Sequence, residues 1–249
     1  MKKTLLFALL MVLGAPVLFA GNKLPDALSV KVRAAYSVGG TAPLDMPAAI
    51  RSIDSYKLTL SVMVGADAAY SFNKTWGIQS GLHFENKGMD AAITTKGYRM
   101  EMVQGDSRIE GLFTGHVHQK VTAWMFTLPV QATARLGIVT LKAGPYVSVL
   151  VSKNFSGTAS DGYLRQGDPT GPKIVIGSKE GEWATYDFSN EIRPFQFGMN
   201  VGADFSIAGG FGISADLNWG LTGLLKSSFK TVDRPLYPIY ATVGVFYAF

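Results

Sequence analysis

The sequence contains no cysteine. That excludes disulfide scaffolds, thiolate metal centres and cysteine nucleophiles together. Charge is scarce too. Asp, Glu, Lys and Arg make up 16% of the 249 residues, against about 25% in an average soluble chain. The net charge of +5 is modest and spread along the chain, which is no footprint for nucleic acid. After residue 20 no apolar run reaches the roughly 20 residues that a membrane helix needs. Yet 47% of the residues are apolar and 12% aromatic, enough to exclude disorder. The 28 glycines follow no collagen period.

The N-terminus has a basic start at Lys2 and Lys3, an apolar core from Thr4 to Leu13, and small residues between Ala15 and Ala20. This predicts a cleaved secretory signal over residues 1–20. Leu18 is larger than a signal peptidase prefers, so the cut can shift by a few residues. No cysteine follows the core, which excludes a lipoprotein anchor. The predicted mature domain is 21–249.

That domain repeats one pattern. From Phe195 to Ile207 one face reads Phe195, Phe197, Met199, Val201, Ala203, Phe205, Ile207. The other reads Gln196, Gly198, Asn200, Gly202, Asp204, Ser206. Phe211 to Leu221 alternates as strictly. This is the period of a strand with two unlike faces. Six further segments follow it: 28–38, 56–72, 75–87, 120–136, 138–151 and 238–249. Pro129 is awkward inside the fourth because it removes a ladder donor, and a local bulge is expected there.

The connections alternate between short and long. Short ones fall at Asn73-Lys74, Gly137 and Ala208 to Gly210; long ones span 39–55, 88–119, 152–194 and 222–237. Short periplasmic turns, long external loops and an even strand number describe an outer-membrane barrel. Lipid demands closure, since an open edge would leave backbone groups unpaired in hydrocarbon.

A soluble barrel would turn the apolar face inward. Aromatic residues argue for the inverse. On the apolar face Tyr70, Phe72, Trp76, Phe205, Phe211 and Tyr247 gather at the short-turn end, and Tyr56, Phe84, Trp124, Phe195 and Trp219 at the loop end. That is a double aromatic girdle. The chain ends on a strand closing in Phe249, the form of a signal for the outer-membrane insertion machinery.

Several strands also carry recognisable local motifs: Phe126-Thr127-Leu128-Pro129-Val130, Lys142-Ala143-Gly144-Pro145-Tyr146-Val147, Phe197 to Phe205, and the tyrosine-containing last strand. In these the chain resembles the PorT-like outer-membrane β-barrel proteins of Bacteroidetes, over essentially the whole mature sequence. The resemblance implies the barrel fold, an unbroken strand at Pro129, and a link to protein secretion.

An eight-stranded barrel is filled by its own side chains. Lys31, Arg33, Asp67, Lys142, Asp204 and Asp216 fall on the polar face, three to five residues above the short turns. They predict a layer of ion pairs plugging the lumen. Nearer the loop end, His83 and Glu85 share that face and are read as a hydrogen-bonded pair; the alternative is an acid/base site. His116 and His118 are read as exposed loop histidines without an evident third metal ligand. Gly167 to Lys173 fails the phosphate-loop pattern and reads as a turn. The loop at 152–194 is unusually apolar, with Phe155, Ile176, Trp183, Tyr186 and Phe188. A hairpin of 173–179 with 182–188 is expected there, either as a lid over the barrel or as a surface for a partner.

The sequence thus predicts an all-β protein, an eight-stranded antiparallel up-and-down transmembrane β-barrel in the outer membrane. It is expected to be monomeric, without catalytic residues, metal or cofactor. The expected partners are outer-membrane lipid, the barrel-insertion machinery, and an envelope protein met through loops or periplasmic turns, with no nucleic acid. A narrow solute or ion channel and a surface hydrolase are the alternatives.

Overall fold

The computed structural model describes residues 27–43, 48–57, 59–104, 107–179, 181–229 and 235–249. The predicted signal at 1–20 lies outside them. The strands are β1 (Leu28–Pro43), β2 (Ile50–Lys57), β3 (Val62–Ser71), β4 (Trp76–Gln104), β5 (Ser107–Leu136), β6 (Val139–Gln166), β7 (Lys173–Ile176), β8 (Ala184–Asp187), β9 (Phe195–Ser206), β10 (Phe211–Gly220) and β11 (Leu236–Ala248). Eight of them form a ring in the order β1-β3-β4-β5-β6-β9-β10-β11, every neighbour antiparallel. β11 returns to β1 in unbroken register from Lys31↔Ala248 to Pro43↔Leu236. No ring strand keeps a free edge, as hydrocarbon requires.

The alternation decides which face is which. Inward residues are polar and buried: Arg33 is 4% exposed, Asp67 2% and Asp204 1%. Outward residues are apolar and exposed: Val201 is 49% exposed, Val147 42% and Ile213 43%. A soluble barrel would reverse this. The three short turns lie at one end, the first built on the Asn73 side-chain oxygen, which accepts from the backbone of Thr75 at 2.9 Å and Trp76 at 2.8 Å.

Pro129 produces no bulge. β4 and β5 stay in step across it, from Ser80↔Val130 to His83↔Thr127. So do β5 and β6, from Pro129↔Tyr146 to Ala132↔Ala143. The Ser80 hydroxyl donates to the Pro129 carbonyl at 2.8 Å, giving that oxygen a partner beside the missing ladder donor.

The predicted long loops are the main correction. β4 and β5 run for 29 and 30 residues and pair up to Gln104↔Ser107. A tilted strand needs about 9–11 residues to cross hydrocarbon. Most of 88–119 is therefore strand standing outside the membrane. Much of 152–194 is strand as well, because β6 runs on to Gln166. β7 and β8 follow one another along β6 instead of forming a hairpin together. β8 also bridges back to β4 at Val103↔Thr185. The predicted second segment divides, with β2 leaving the ring to pair with Asp90–Thr95 of β4 through two bulges.

The reason lies in the solvent. Along β4, the odd-numbered positions from 77 to 87 face the lumen and are all polar or glycine. The next inward positions are Met89, Ala91 and Ile93, all buried. The inward face turns from polar to apolar where the outward face turns from lipid to water. After the bulge between Thr95 and Tyr98, inward positions become even-numbered, at Met100 and Met102. These residues join Phe113, Val117, Phe155, Leu164, Ile176, Tyr186 and Phe188 in one apolar core. Burying each large side chain contributes about 1.5–3 kcal/mol. The result is a β-structured cap, wrapped by the upper parts of β4, β5 and β6 with β8.

Candidate functional site

The lumen is filled in layers. All six charges predicted for the lowest layer meet there. Arg33 on β1 is the hub. Its Nε donates to Asp67, and its other nitrogens lie 3.5 Å from Asp204 and 3.8 Å from Asp216. Lys31 reaches Asp204 at 2.8 Å; Lys142 reaches Asp204 at 2.7 Å and Asp216 at 3.0 Å. Three cations balance three carboxylates: Asp204 and Asp216 each meet at least two of them, and Asp67 meets Arg33 and the His83 ring. That satisfaction is what makes buried charge tolerable. Two glycines make room for it. A Cβ on Gly81 would strike the Asp67 carboxylate, and one on Gly202 the Asp216 carboxylate.

His83 belongs to this layer and not to a pair with Glu85. Its Nε2 lies 2.8 Å from Asp67 Oδ1. Glu85 instead accepts from the Thr127 hydroxyl and lies 3.1 Å from Lys87 Nζ. Two residues apart on one strand face, they engage different partners, His83 the Asp67 carboxylate and Glu85 the Thr127 hydroxyl and the Lys87 ammonium. Lys87 was not singled out in the sequence, although it continues the 83, 85 spacing. Its ammonium lies 5.4 Å from the Tyr146 ring centre and 5.7 Å from that of Tyr240.

A second unforeseen feature is a chain of amides across the lumen. Gln79 Nε2 donates to Gln131 Oε1 at 3.4 Å, and Gln131 Nε2 donates to Asn200 Oδ1. Asn200 Nδ2 donates to Asn218 Oδ1 at 2.8 Å, and Asn218 Nδ2 to Thr242 Oγ1 at 3.2 Å, which meets Ser37 Oγ at 2.8 Å. Six strands are cross-linked this way. The signal for it was available, since every member sits on the inward register. A void of about 20 Å³ remains between Arg33, His83, Glu85, Lys142 and Tyr146, too small to pass a solute.

The aromatic girdles are placed less uniformly. At the short-turn end Tyr70, Phe72, Trp76, Phe205 and Phe211 are exposed outward, with Tyr247 half-buried between Phe211 at 4.9 Å and Phe249 at 5.0 Å. At the loop end Phe195 and Trp219 are exposed. Trp124 stacks at 5.1 Å on Phe84, which Trp124 and Phe126 cover. Tyr56 is a correction. It lies on β2, outside the ring, and its hydroxyl donates to the Gly39 carbonyl.

The cap places both loop histidines on β5. His116 Nδ1 lies 3.4 Å from Asp54 and His118 Nε2 lies 2.9 Å from Asp90. Among the described residues no cluster of three or more candidate ligands could hold a metal. Hydrogen bonds from Ser52 and Thr94 hold the Asp54 carboxyl below its ordinary value. Burial pushes the Tyr186 phenol well above its usual range, while its hydroxyl donates to the His118 carbonyl at 3.1 Å.

Closed ring, apolar exterior and filled polar interior agree with the family comparison, in which the profile described as "Outer membrane protein beta-barrel domain" matches residues 19–226. The chain belongs to that family. Its place is therefore the outer membrane, with the short turns periplasmic and the cap outside the cell. Among curated proteins nothing matches the chain. Among solved structures it is similar to Ail of Yersinia pestis at 12% identity, covering 89% of this chain and 97% of that one with a TM-score of 0.37. CarO2 of Acinetobacter baumannii shares 10% identity over 89% and 99% of the two chains, with a TM-score of 0.41. OprG of Pseudomonas aeruginosa shares 10% over 90% and 96%, with a TM-score of 0.33. At such identities and scores these likenesses add nothing to the family match.

Proposed function

We propose that this outer-membrane barrel is a non-enzymatic, non-conducting anchor of PorT-like type, whose cap or periplasmic turns hold an envelope partner. The observation that carries the reading is the filled lumen. Ion pairs, the amide chain and the cap core occupy it, and the void left between Arg33, His83, Glu85, Lys142 and Tyr146 is about 20 Å³. The position of His83 in the ion-pair layer speaks against the hydrolase alternative. A secretion assembly is the kind of partner that the PorT-like motifs suggest. Phe249 would serve as the insertion signal, and the protein would act as a monomer within such an assembly.

Planar-bilayer recording and a mild-detergent pull-down from native outer membranes test this together. The expected result is no channel opening and a stoichiometric envelope partner that is lost when exposed cap side chains are changed. A steady conductance, unaltered by lumen charge substitutions, would make the protein a channel. A clean monomer would sink the anchor reading. A hydrolytic activity lost in His83→Ala would replace it with the enzyme.

A further inference from the structure

The outer face of the cap holds a carboxylate–imidazole–carboxylate bridge that none of these roles uses. His116 on β5 stands at its centre. Its Nδ1 lies 3.4 Å from Asp54 on β2, and its Nε2 lies 3.8 Å from the Asp161 carboxylate on β6. β4 contributes Thr94, whose hydroxyl donates to Asp54 at 2.7 Å and lies 3.0 Å from His116 Nδ1. A hydroxyl has one proton to give. With that proton on Asp54, the Thr94 oxygen can only accept from His116, which fixes the neutral ring as its Nδ1–H tautomer. The Nε2 lone pair then faces a carboxylate. Only the protonated ring offers a donor on both sides.

The backbone is bent to bring the second carboxylate there. Phe155 and Ala159 of β6 face the core at odd positions, whereas Leu164 faces it at an even one. One extra residue therefore lies between them. The β5–β6 register shifts at this point, from Thr114↔Tyr163 to His116↔Ser160, leaving Asp161 and Gly162 opposite Gly115. Among the described residues Asp161 is the only non-glycine with a positive φ, at 50°. A regular strand would turn Asp161 towards the apolar core. The bulge sets it outward instead, with its side chain 69% exposed. Bulges re-aim side chains in this way, and a strained residue of this kind points to a role for what it presents.

β2 has the most to gain from the bridge. It pairs with β4 alone, through two bulges. Its Tyr56 hydroxyl reaches the Gly39 carbonyl of β1, so β2 closes the side of the cap between β1 and β4. Among the described residues no lysine or arginine lies within 4 Å of either carboxylate, and His118 is engaged with Asp90 at 2.9 Å. We propose that Asp54, His116 and Asp161 form a proton-operated latch that fastens β2 to β6 across the outside of the cap, closed when His116 is protonated and open when it is neutral. Imidazole changes charge between about pH 5 and 8, where carboxylates are already ionised. The latch is therefore closed in mildly acidic surroundings and released as the pH rises.

Hydrogen exchange of the folded barrel in uncharged detergent, taken relative to the unstructured chain at each pH, tests the latch between pH 8 and pH 5.5. Protection at 50–57 and at 161–163 should rise about threefold to fivefold on acidification, the size of an exposed ion pair. His116→Gln should abolish the rise at both places. Asp161→Asn, which still tolerates the left-handed backbone, should abolish it at 161–163 and leave part of it at 50–57, where Asp54 still meets the ring. His118→Gln should change neither. Nitrogen NMR of protein labelled in histidine, with His116 assigned by its loss in His116→Gln, should show the Nδ1–H tautomer at pH 8; an unconstrained histidine prefers Nε2–H. Equal protection of the native protein at both pH values would overturn the proposal. So would a rise that survives His116→Gln, a rise at 161–163 that survives Asp161→Asn, or an Nε2–H ring at pH 8.

Discussion

At the scale of single residues, the lumen concentrates its consequences in Arg33. It touches all three carboxylates of the lowest layer. Replacing it with methionine keeps the bulk and strips those carboxylates of a shared cation. Breaking a buried charge cluster from one side costs about 3–5 kcal/mol, and equilibrium denaturation of the folded barrel should show a loss of that order. Tyr186 gives a second residue-level expectation. Its phenol stays neutral in the folded cap, while in an unfolded chain it ionises near pH 10. The stability it lends is therefore complete below pH 10 and declines as pH rises beyond it. In a spectrophotometric titration, the difference between the native protein and Tyr186→Phe should show no ionisation step near pH 10 until the cap unfolds. The six lumen charges were legible as a set because their register and height could be counted from the turns. Their partners were not, because strand tilt brings together residues at different counts. The amide chain was overlooked for another reason: uncharged Gln and Asn on an inward face look like filler until their donors line up.

At the scale of elements, the ring strands could be read directly because lipid and lumen impose opposite chemistry on alternate residues. The upper parts of β4, β5 and β6 escaped because water replaces lipid there. The alternation persists, but its polarity inverts between Lys87 and Met89, and the bulge after Thr95 then shifts its phase. An observer holding the apolar face outward sees only a broken pattern and concludes loop. The cap core should behave as an independent packing unit. Phe113 is fully buried within it, and Phe113→Ala should cost about 3–5 kcal/mol. Limited proteolysis should then find the cap opened while the ring stays resistant. β2 is held more lightly, with almost every residue exposed. Asp54, held below its ordinary value by Ser52 and Thr94, contributes to its docking above the usual carboxylate range and loses that contribution as the pH falls through the lowered value. Hydrogen-exchange protection at 50–57, taken relative to the unstructured chain at the same pH, should fall in acid, and Asp54→Asn should remove that acid sensitivity.

At the scale of the whole molecule, charge is segregated by exposure. The lumen pairs are shielded from solvent, whereas cap pairs such as Arg108 with Glu101 stand partly in water. Salt screens exposed charges and barely reaches buried ones, so raising the ionic strength should leave the unfolding midpoint of the barrel nearly unchanged. A marked fall would mean that the lumen network is wetter than its burial implies. The continuity of β4, β5 and β6 from periplasmic turn to cap has a mechanical side. No flexible joint separates their outer ends from the membrane wall. A pull applied to that part of the cap would arrive as shear along hydrogen-bonded ladders, the direction in which many bonds must break at once. The barrel would thus act as a stiff mast, transmitting force at the cell surface instead of absorbing it.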